Sequence, residues 1–200
     1  MHTLQFVILG YLSGSILFAR LFARLHGVED KMIAESPDHN PGAFNAFAYG
    51  GILCGTATVL ADLLKGILPV WLYLKTGGDP TGMGLALVLA APVVGHIFPV
   101  FFRFRGGKGI AVTFGCLLGL LPVWEPLLVF AGVFLFFSVV VKITPNFYRT
   151  LFSYLVSAVC MVVMRLARPV TAGFLLITAV TSLRLHRSTE PREALGIKLL

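Results

Sequence analysis

Residues 103–109 read R-F-R-G-G-K-G. Three glycines let backbone N–H groups approach an anion, and three cations complete an anion nest, so a phosphate is the natural occupant. The plain alternative is a basic turn whose side chains snorkel to lipid headgroups. It is not a Walker loop, because the spacing and the Ser/Thr are missing. Just before it, residues 95–100 read G-H-I-F-P-V and set His96 in an apolar stretch. A histidine there is costly without a partner. It either orients or deprotonates a hydroxyl, or it bonds a backbone carbonyl freed by Pro99. Residues 40–45, N-P-G-A-F-N, flank a Pro-Gly turn with two amides. These can hold a carbonyl, a hydroxyl or a phosphate, or simply build the turn. In D-L-L-K-G, residues 62–66, Asp62 and Lys65 are three apart and share a helix face. They form either a clamp between helices or a brace for the basic loop. Ser13, Gly14 and Ser15 make a close-packing patch, and L-H-R-S-T-E at 185–190 adds His186 and Arg187 as site residues or membrane-boundary anchors.

No metal site is expected, since His2, His26, His39, His96 and His186 show no ligand spacing. Cys54, Cys116 and Cys160 lie in apolar stretches without C-x-x-C spacing and read as small apolar residues.

The elements that position these groups are membrane helices. Of 200 residues 57% are apolar and 12% charged, with a mean hydropathy of +0.88. A soluble domain carries about a quarter charged residues, so a soluble enzyme is excluded, as are disordered and collagen-like chains. The composition predicts an all-α integral membrane protein. Apolar stretches at 4–25, 49–74, 83–102, 110–123, 127–141, 151–166 and 170–185 predict about seven transmembrane helices. The fourth reaches only about 20 Å, less than the roughly 30 Å core, so the alternative is five spans plus a re-entrant pair. In the first stretch Arg20 and Arg24 follow the apolar run, the reverse of a cleaved signal. That places the N-terminus outside. Twelve basic residues then fall inside and three (Lys75, Arg165 and Arg168) outside, with Lys65 inside a span. This asymmetry places the C-terminus and every polar cluster above on the cytoplasmic face. The net charge of +7 reads as this bias, with no nucleic-acid partner, because no basic run is interleaved with stacking aromatics.

Taken together and in order, these segments resemble the bacterial glycerol-3-phosphate acyltransferases that use acyl phosphate as donor. That pattern runs through G-S-I-P, G-S-G-N-x-G-A-T-N, D-x-x-K-G, G-H-x-F-P-V-F-x-x-F-K-G-G-K-G and H-R-x-N. Here G-H-I-F-P-V-F-F-R-F-R-G-G-K-G-I-A-V-T follows it over 19 positions, and the likeness runs over about residues 10–198. The resemblance implies one transmembrane acyltransferase domain over residues 1–200, multi-pass in the bacterial plasma (inner) membrane, with its active site facing the cytoplasm. It implies acyl phosphate and glycerol 3-phosphate as substrates, the bilayer as partner, and no cofactor or metal. The products are lysophosphatidic acid and phosphate, in the first step of phospholipid synthesis. It assigns Asn40, His96, Lys108 and His186 to catalysis, with His96 and His186 orienting glycerol 3-phosphate and the donor's own phosphate as the base. It assigns Ser15, Gly42, Asn45, Lys65, Arg105, Gly106, Gly107, Thr150 and Ser153 to substrate binding.

The chain departs from the pattern in places. G-S-G becomes Pro37, Asp38 and His39, which takes two glycines and a serine from a phosphate nest and adds a carboxylate. Phe44 replaces Thr, Ala48 an Arg, Leu17 a Pro and Thr189 an Asn. R-x-x-S-L-x-S reads F-Y-R-T-L-F-S, keeping hydroxyls at Thr150 and Ser153 while Arg149 is displaced. Two competing readings follow: a diverged paralogue with another donor or acceptor or weak activity, and a non-enzymatic membrane protein. No inverted repeat of the transporter kind is present in the sequence.

Overall fold

The computed structural model describes residues 1–36, 40–188 and 194–199. Pro37, Asp38, His39, Thr189, Glu190 and Arg192 lie outside the described residues.

Helices α1 (His2–Gly14) and α2 (Phe18–Leu25) divide the first apolar stretch. The break at 15–17 leaves backbone groups that other elements must satisfy. The short helix α3 (Glu29–Glu35), not foreseen, is tied back to α2. Glu29 accepts from Arg20 Nε at 2.7 Å and from Arg24 Nε at 2.6 Å. Burial alone would raise the Glu29 carboxyl, but the bonds to Arg24 and Arg20 outweigh it and hold it below the usual carboxylate range.

Helix α4 (Ala43–Lys75) has 33 residues, about 50 Å of helix against a core of roughly 30 Å. It turns at Gly51, where φ is 75°. Only glycine holds that conformation without penalty, and the turn separates a short arm from the crossing segment.

Helix α5 (Gly84–Ile97) is the centre of the bundle: eleven of its fourteen residues are buried. It packs against α1, α4, α6 (Ile110–Leu118) and α9 (Arg168–His186). Small residues let these crossings close to backbone contact. A Cβ on Gly14 would strike the Pro92 carbonyl, and one on Gly95 the Tyr11 carbonyl. Gly66 meets Val112 and Gly115 meets Leu63 in the same way, joining α4 to α6. Exposed leucines and isoleucines instead recur at helical spacing on outward faces, as Leu4, Ile8 and Leu12 on α1 and Leu60, Leu64 and Leu68 on α4. An outward apolar stripe on a helix fits lipid, not water.

Among the described residues five helices are long and apolar enough to cross a membrane: His2–Leu25, Ala43–Lys75, Gly84–Phe102, Asn146–Val163 (α8) and Arg168–His186. The fourth and fifth expected stretches are the short ones, and there the two expectations, seven spans or five plus a re-entrant pair, differ. α6 has nine residues, about 14 Å of helix, and α7 (Glu125–Leu135) has eleven before a π-helical stretch to Val140. The expectation of a purely helical chain is corrected. β1 (Val141–Thr144) pairs antiparallel with β2 (Gly196–Leu199), Val141 opposite Leu199 and Thr144 opposite Gly196. The fifth apolar stretch therefore ends as a strand rich in β-branched residues.

Candidate active site

The end of α5 and the loop after it build the centre of the site. Past Pro99 the chain makes one 3-10 turn, and Arg103 and Phe104 then take left-handed φ values of 52° and 59°. Such values are uncommon outside glycine and mark a constrained turn. They swing the loop back beneath α5. Phe104 N–H donates to Pro99 O, Gly106 N–H to Ile97 O at 3.2 Å and Gly107 N–H to His96 O at 3.1 Å. These donors cap carbonyls at the helix end, so the expected nest of free backbone N–H groups at Gly106 and Gly107 is not formed. The glycines are required for another reason. A Cβ on Gly106 would strike His96 O, and one on Gly107 would strike His96 Nε2. From α9, Arg184 donates through Nε and one terminal nitrogen to Gly106 O at 3.2 and 3.0 Å, fastening the loop to the far side of the bundle.

Lys108 follows, 8% exposed, and lines a cavity of about 530 Å³ between α4, α5, α6, α7 and α8. Asn40, Gly42, Asp62, His96, Asn146, Arg149 and Thr150 supply its polar lining. Val59, Leu63, Ile110, Phe114, Leu118 and Phe134 supply an apolar wall. Ile110 to Leu118 follows α6 for about 12 Å, so cationic and apolar side chains line one cavity.

Behind His96 lies a buried polar knot. Lys65 Nζ donates to Ile16 O at 2.6 Å, at the break between α1 and α2. It stands 2.9 Å from His96 Nδ1 and 2.8 Å from Asp62 Oδ1. The Asp62 contact is an ion pair by distance, off the angle of a hydrogen bond. Ser13 Oγ donates to Lys65 O, adding a link between α1 and α4. Of the two roles weighed for D-L-L-K-G, the clamp between helices is the one formed, and it reaches the basic loop only through His96, whose carbonyl accepts from Gly107 N–H.

Of the expected site residues, Asn40, Gly42, His96, Lys108 and Thr150 line the cavity. Asn45 stands behind Asn40, with Nδ2 donating to Asn40 O at 2.7 Å. Ser153 stands behind Arg149 and donates to its carbonyl at 2.7 Å. Ser15 is outside the cavity: its Oγ donates to Tyr11 O and accepts from Val100 N–H, a packing link between the α1–α2 break and the turn after α5. Arg105 is exposed and does not line the cavity. His186 is exposed at the end of α9, its ring 5.9 Å from that of Phe147. Phe147 adjoins Asn146, so His186 stands beside the cavity and not in it.

Three residues were missed. Asn146 and Arg149 line the cavity, the guanidinium bonded to Asn146 Oδ1. With Thr150 they sit at i, i+3 and i+4, one face of a helix, a signal present in the sequence. Arg184 had no such signal: its partner lies 78 positions away.

The family pattern described as Glycerol-3-phosphate acyltransferase matches residues 4–193. The glycerol-3-phosphate acyltransferase of Haemophilus ducreyi is 34% identical over 166 residues, 77% of this chain and 81% of that protein. That of Actinobacillus pleuropneumoniae serotype 5b is 45% identical over 114 residues, 57% of this chain. That alignment covers 56% of the relative, so over this match the chain spans little more than half the length of that curated relative. Two crystal structures of PlsY (YgiH), an integral membrane glycerol 3-phosphate acyltransferase, share the fold. The lysophosphatidic acid form has a TM-score of 0.74 and 29% identity, covering 94% of this chain and 89% of that one. The glycerol 3-phosphate form has a TM-score of 0.75 and 28% identity, covering 93% and 89%. A helical membrane bundle with this glycine loop, matched across residues 4–193, places the chain in the glycerol-3-phosphate acyltransferase family.

Proposed function

We propose that this chain is a single transmembrane acyltransferase domain that moves a fatty acyl group from acyl phosphate to glycerol 3-phosphate. One observation carries the reading: Lys108 and Arg149 line the same cavity as the apolar wall of Leu63, Phe114 and Phe134. Phosphates need cations, an acyl chain needs hydrocarbon, and this reaction needs both at one place. The primary hydroxyl oxygen of glycerol 3-phosphate bonds to the acyl carbon. The bond from that carbon to the phosphate oxygen breaks, and lysophosphatidic acid and inorganic phosphate leave. The hydroxyl proton goes to the leaving phosphate, so no side-chain base enters. Lys108 and Arg149 hold phosphate, and Lys108 stabilises charge developing on the acyl oxygen. Asn40, steadied by Asn45, positions the acyl phosphate beside Gly42. His96 and Thr150 orient glycerol 3-phosphate from inside the cavity and His186 from beside it.

The test is incubation of the purified protein with palmitoyl phosphate and glycerol 3-phosphate, with phosphate and lysophosphatidic acid both measured. Equal amounts of the two, and no product from acyl coenzyme A, are expected. No product from a well-folded sample would refute the reading and favour a diverged paralogue.

The proposed topology is five spans plus α6 and α7 as a re-entrant pair, in a bacterial plasma membrane. The N-terminus is outside, and the C-terminus and the cavity face the cytoplasm. The excess of basic residues at that end of the bundle supports it. In inside-out vesicles a C-terminal tag is expected to be cut by added protease and an N-terminal tag protected; the reverse pattern would overturn the orientation.

A further inference from the structure

The knot behind His96 decides what that histidine can do. A charged lysine carries three N–H donors and no acceptor. Around Lys65 Nζ, Ile16 O accepts at 2.6 Å, Asp62 Oδ1 lies 2.8 Å away as an ion-pair partner, and His96 Nδ1 stands at 2.9 Å. Facing an ammonium, His96 Nδ1 must offer its lone pair. Among the described residues the nearest carboxylate oxygen that could receive an Nδ1–H is Asp62 Oδ1, 4.0 Å away, beyond hydrogen-bond reach. The ring proton therefore belongs on Nε2. That nitrogen lies against Gly107, where a Cβ would strike it, one residue before Lys108. His96 itself lines the cavity.

We propose that Lys65 is a positioning residue: it fixes His96 in the tautomer protonated on Nε2, so that His96 meets substrate as a hydrogen-bond donor and not as a base. Asp62 holds the ammonium in place, and Ile16 O, freed by the break between α1 and α2, aims it. The break in the first span is therefore part of the site, although no residue at 15–17 lines the cavity. A donating Nε2–H suits a phosphate or hydroxyl oxygen, or the oxyanion that forms as the acyl carbon is attacked. The donation has a consequence for the acceptor hydroxyl: its proton cannot go to His96.

This role for His96 rests on the acyl-transfer reading; the tautomer does not. Two measurements separate them. In 15N-histidine-labelled protein, the ring shifts of His96, assigned by comparison with His96→Gln, are expected to show a protonated Nε2 and a bare Nδ1. A protonated Nδ1 would overturn the proposal without any assay. In the paired variant Asp62→Asn with Lys65→Met, which leaves no lone buried charge, the preference is expected to disappear. Its persistence would reduce Lys65 to packing. The second measurement is turnover. Glutamine places an amide N–H near the Nε2 position but is no base. His96→Gln is expected to keep kcat within about tenfold of the parent, whereas His96→Ala loses about 10²-fold, as for a missing donor to developing charge. If His96→Gln falls as far as His96→Ala, by the 10²–10⁴ of a lost base, the donor role is refuted. If the parent itself makes no product from acyl phosphate, the acyl-transfer reading fails while the 15N spectrum still decides the tautomer.

Discussion

Lys108→Met is expected to lower turnover by at least about 10²–10³-fold, the effect of removing a donor aimed at developing charge. Lys108 is 8% exposed and lines the cavity, so solvent does not replace its charge there. The loop holds it by bonds independent of its side chain: Gly106 N–H to Ile97 O, Gly107 N–H to His96 O, and Arg184 to Gly106 O. Removing the ammonium should therefore leave the loop standing and, among the described residues, leave Arg149 as the cation lining the cavity. Lys108→Arg is not a conservative repair, because a planar fork does not occupy the place of a compact ammonium. The control is Arg103→Met in the same loop. Arg103 is exposed and outside the cavity, and its loss is expected to change turnover less than twofold. Phosphate release under saturating palmitoyl phosphate measures both. Lys108→Met within fivefold of the parent would remove the phosphate role from this loop.

The sequence made legible whatever depends on composition and local spacing. Long apolar runs became the five long helices, because lipid demands them. The Asp62–Lys65 spacing became an ion pair, because three residues apart is one helix face. What stayed hidden depends on partners far along the chain. R-F-R-G-G-K-G looks like an anion nest, yet Gly106 and Gly107 spend their N–H groups on α5 and leave Lys108 to carry the charge. Arg184 counts in the sequence only as one of twelve basic residues on one side, yet it clamps a loop across the bundle. Ser15 matches a motif, yet it bonds Tyr11 O and Val100 N–H. Arg149 looks displaced from a pattern, yet α8 turns it into the cavity beside Asn146 and Thr150. A motif reports residue types; the donors that remain unspent are known only once the helix ends are in place.

Gly107→Ala is expected to be nearly as damaging as Lys108→Met while changing nothing polar. The added methyl would fall on His96 Nε2. Either the imidazole moves or the loop does. If the ring moves, Nε2 leaves its place beside Gly107 and Nδ1 leaves Lys65. If the loop moves, Gly107 loses its bond to His96 O and Lys108 shifts with it. Both routes disorganise the site at a stability cost of about 1–3 kcal/mol, typical of overpacking, and a turnover loss of about 10²-fold follows from a misplacement of about 1 Å. Gly132→Ala on α7 is the control, since no atom lies within 4 Å of its added methyl. Alanine there is expected to be neutral or to stabilise by about 0.5–1 kcal/mol. Thermal melting separates the stability cost from the turnover loss. The sharper test is non-additivity. In a His96→Ala background the ring that collides is gone, so Gly107→Ala should cost little further turnover. A full second loss in that background would mean that Gly107 serves the loop and not the histidine. Gly107→Ala within threefold of the parent would show that the cavity tolerates the ring elsewhere.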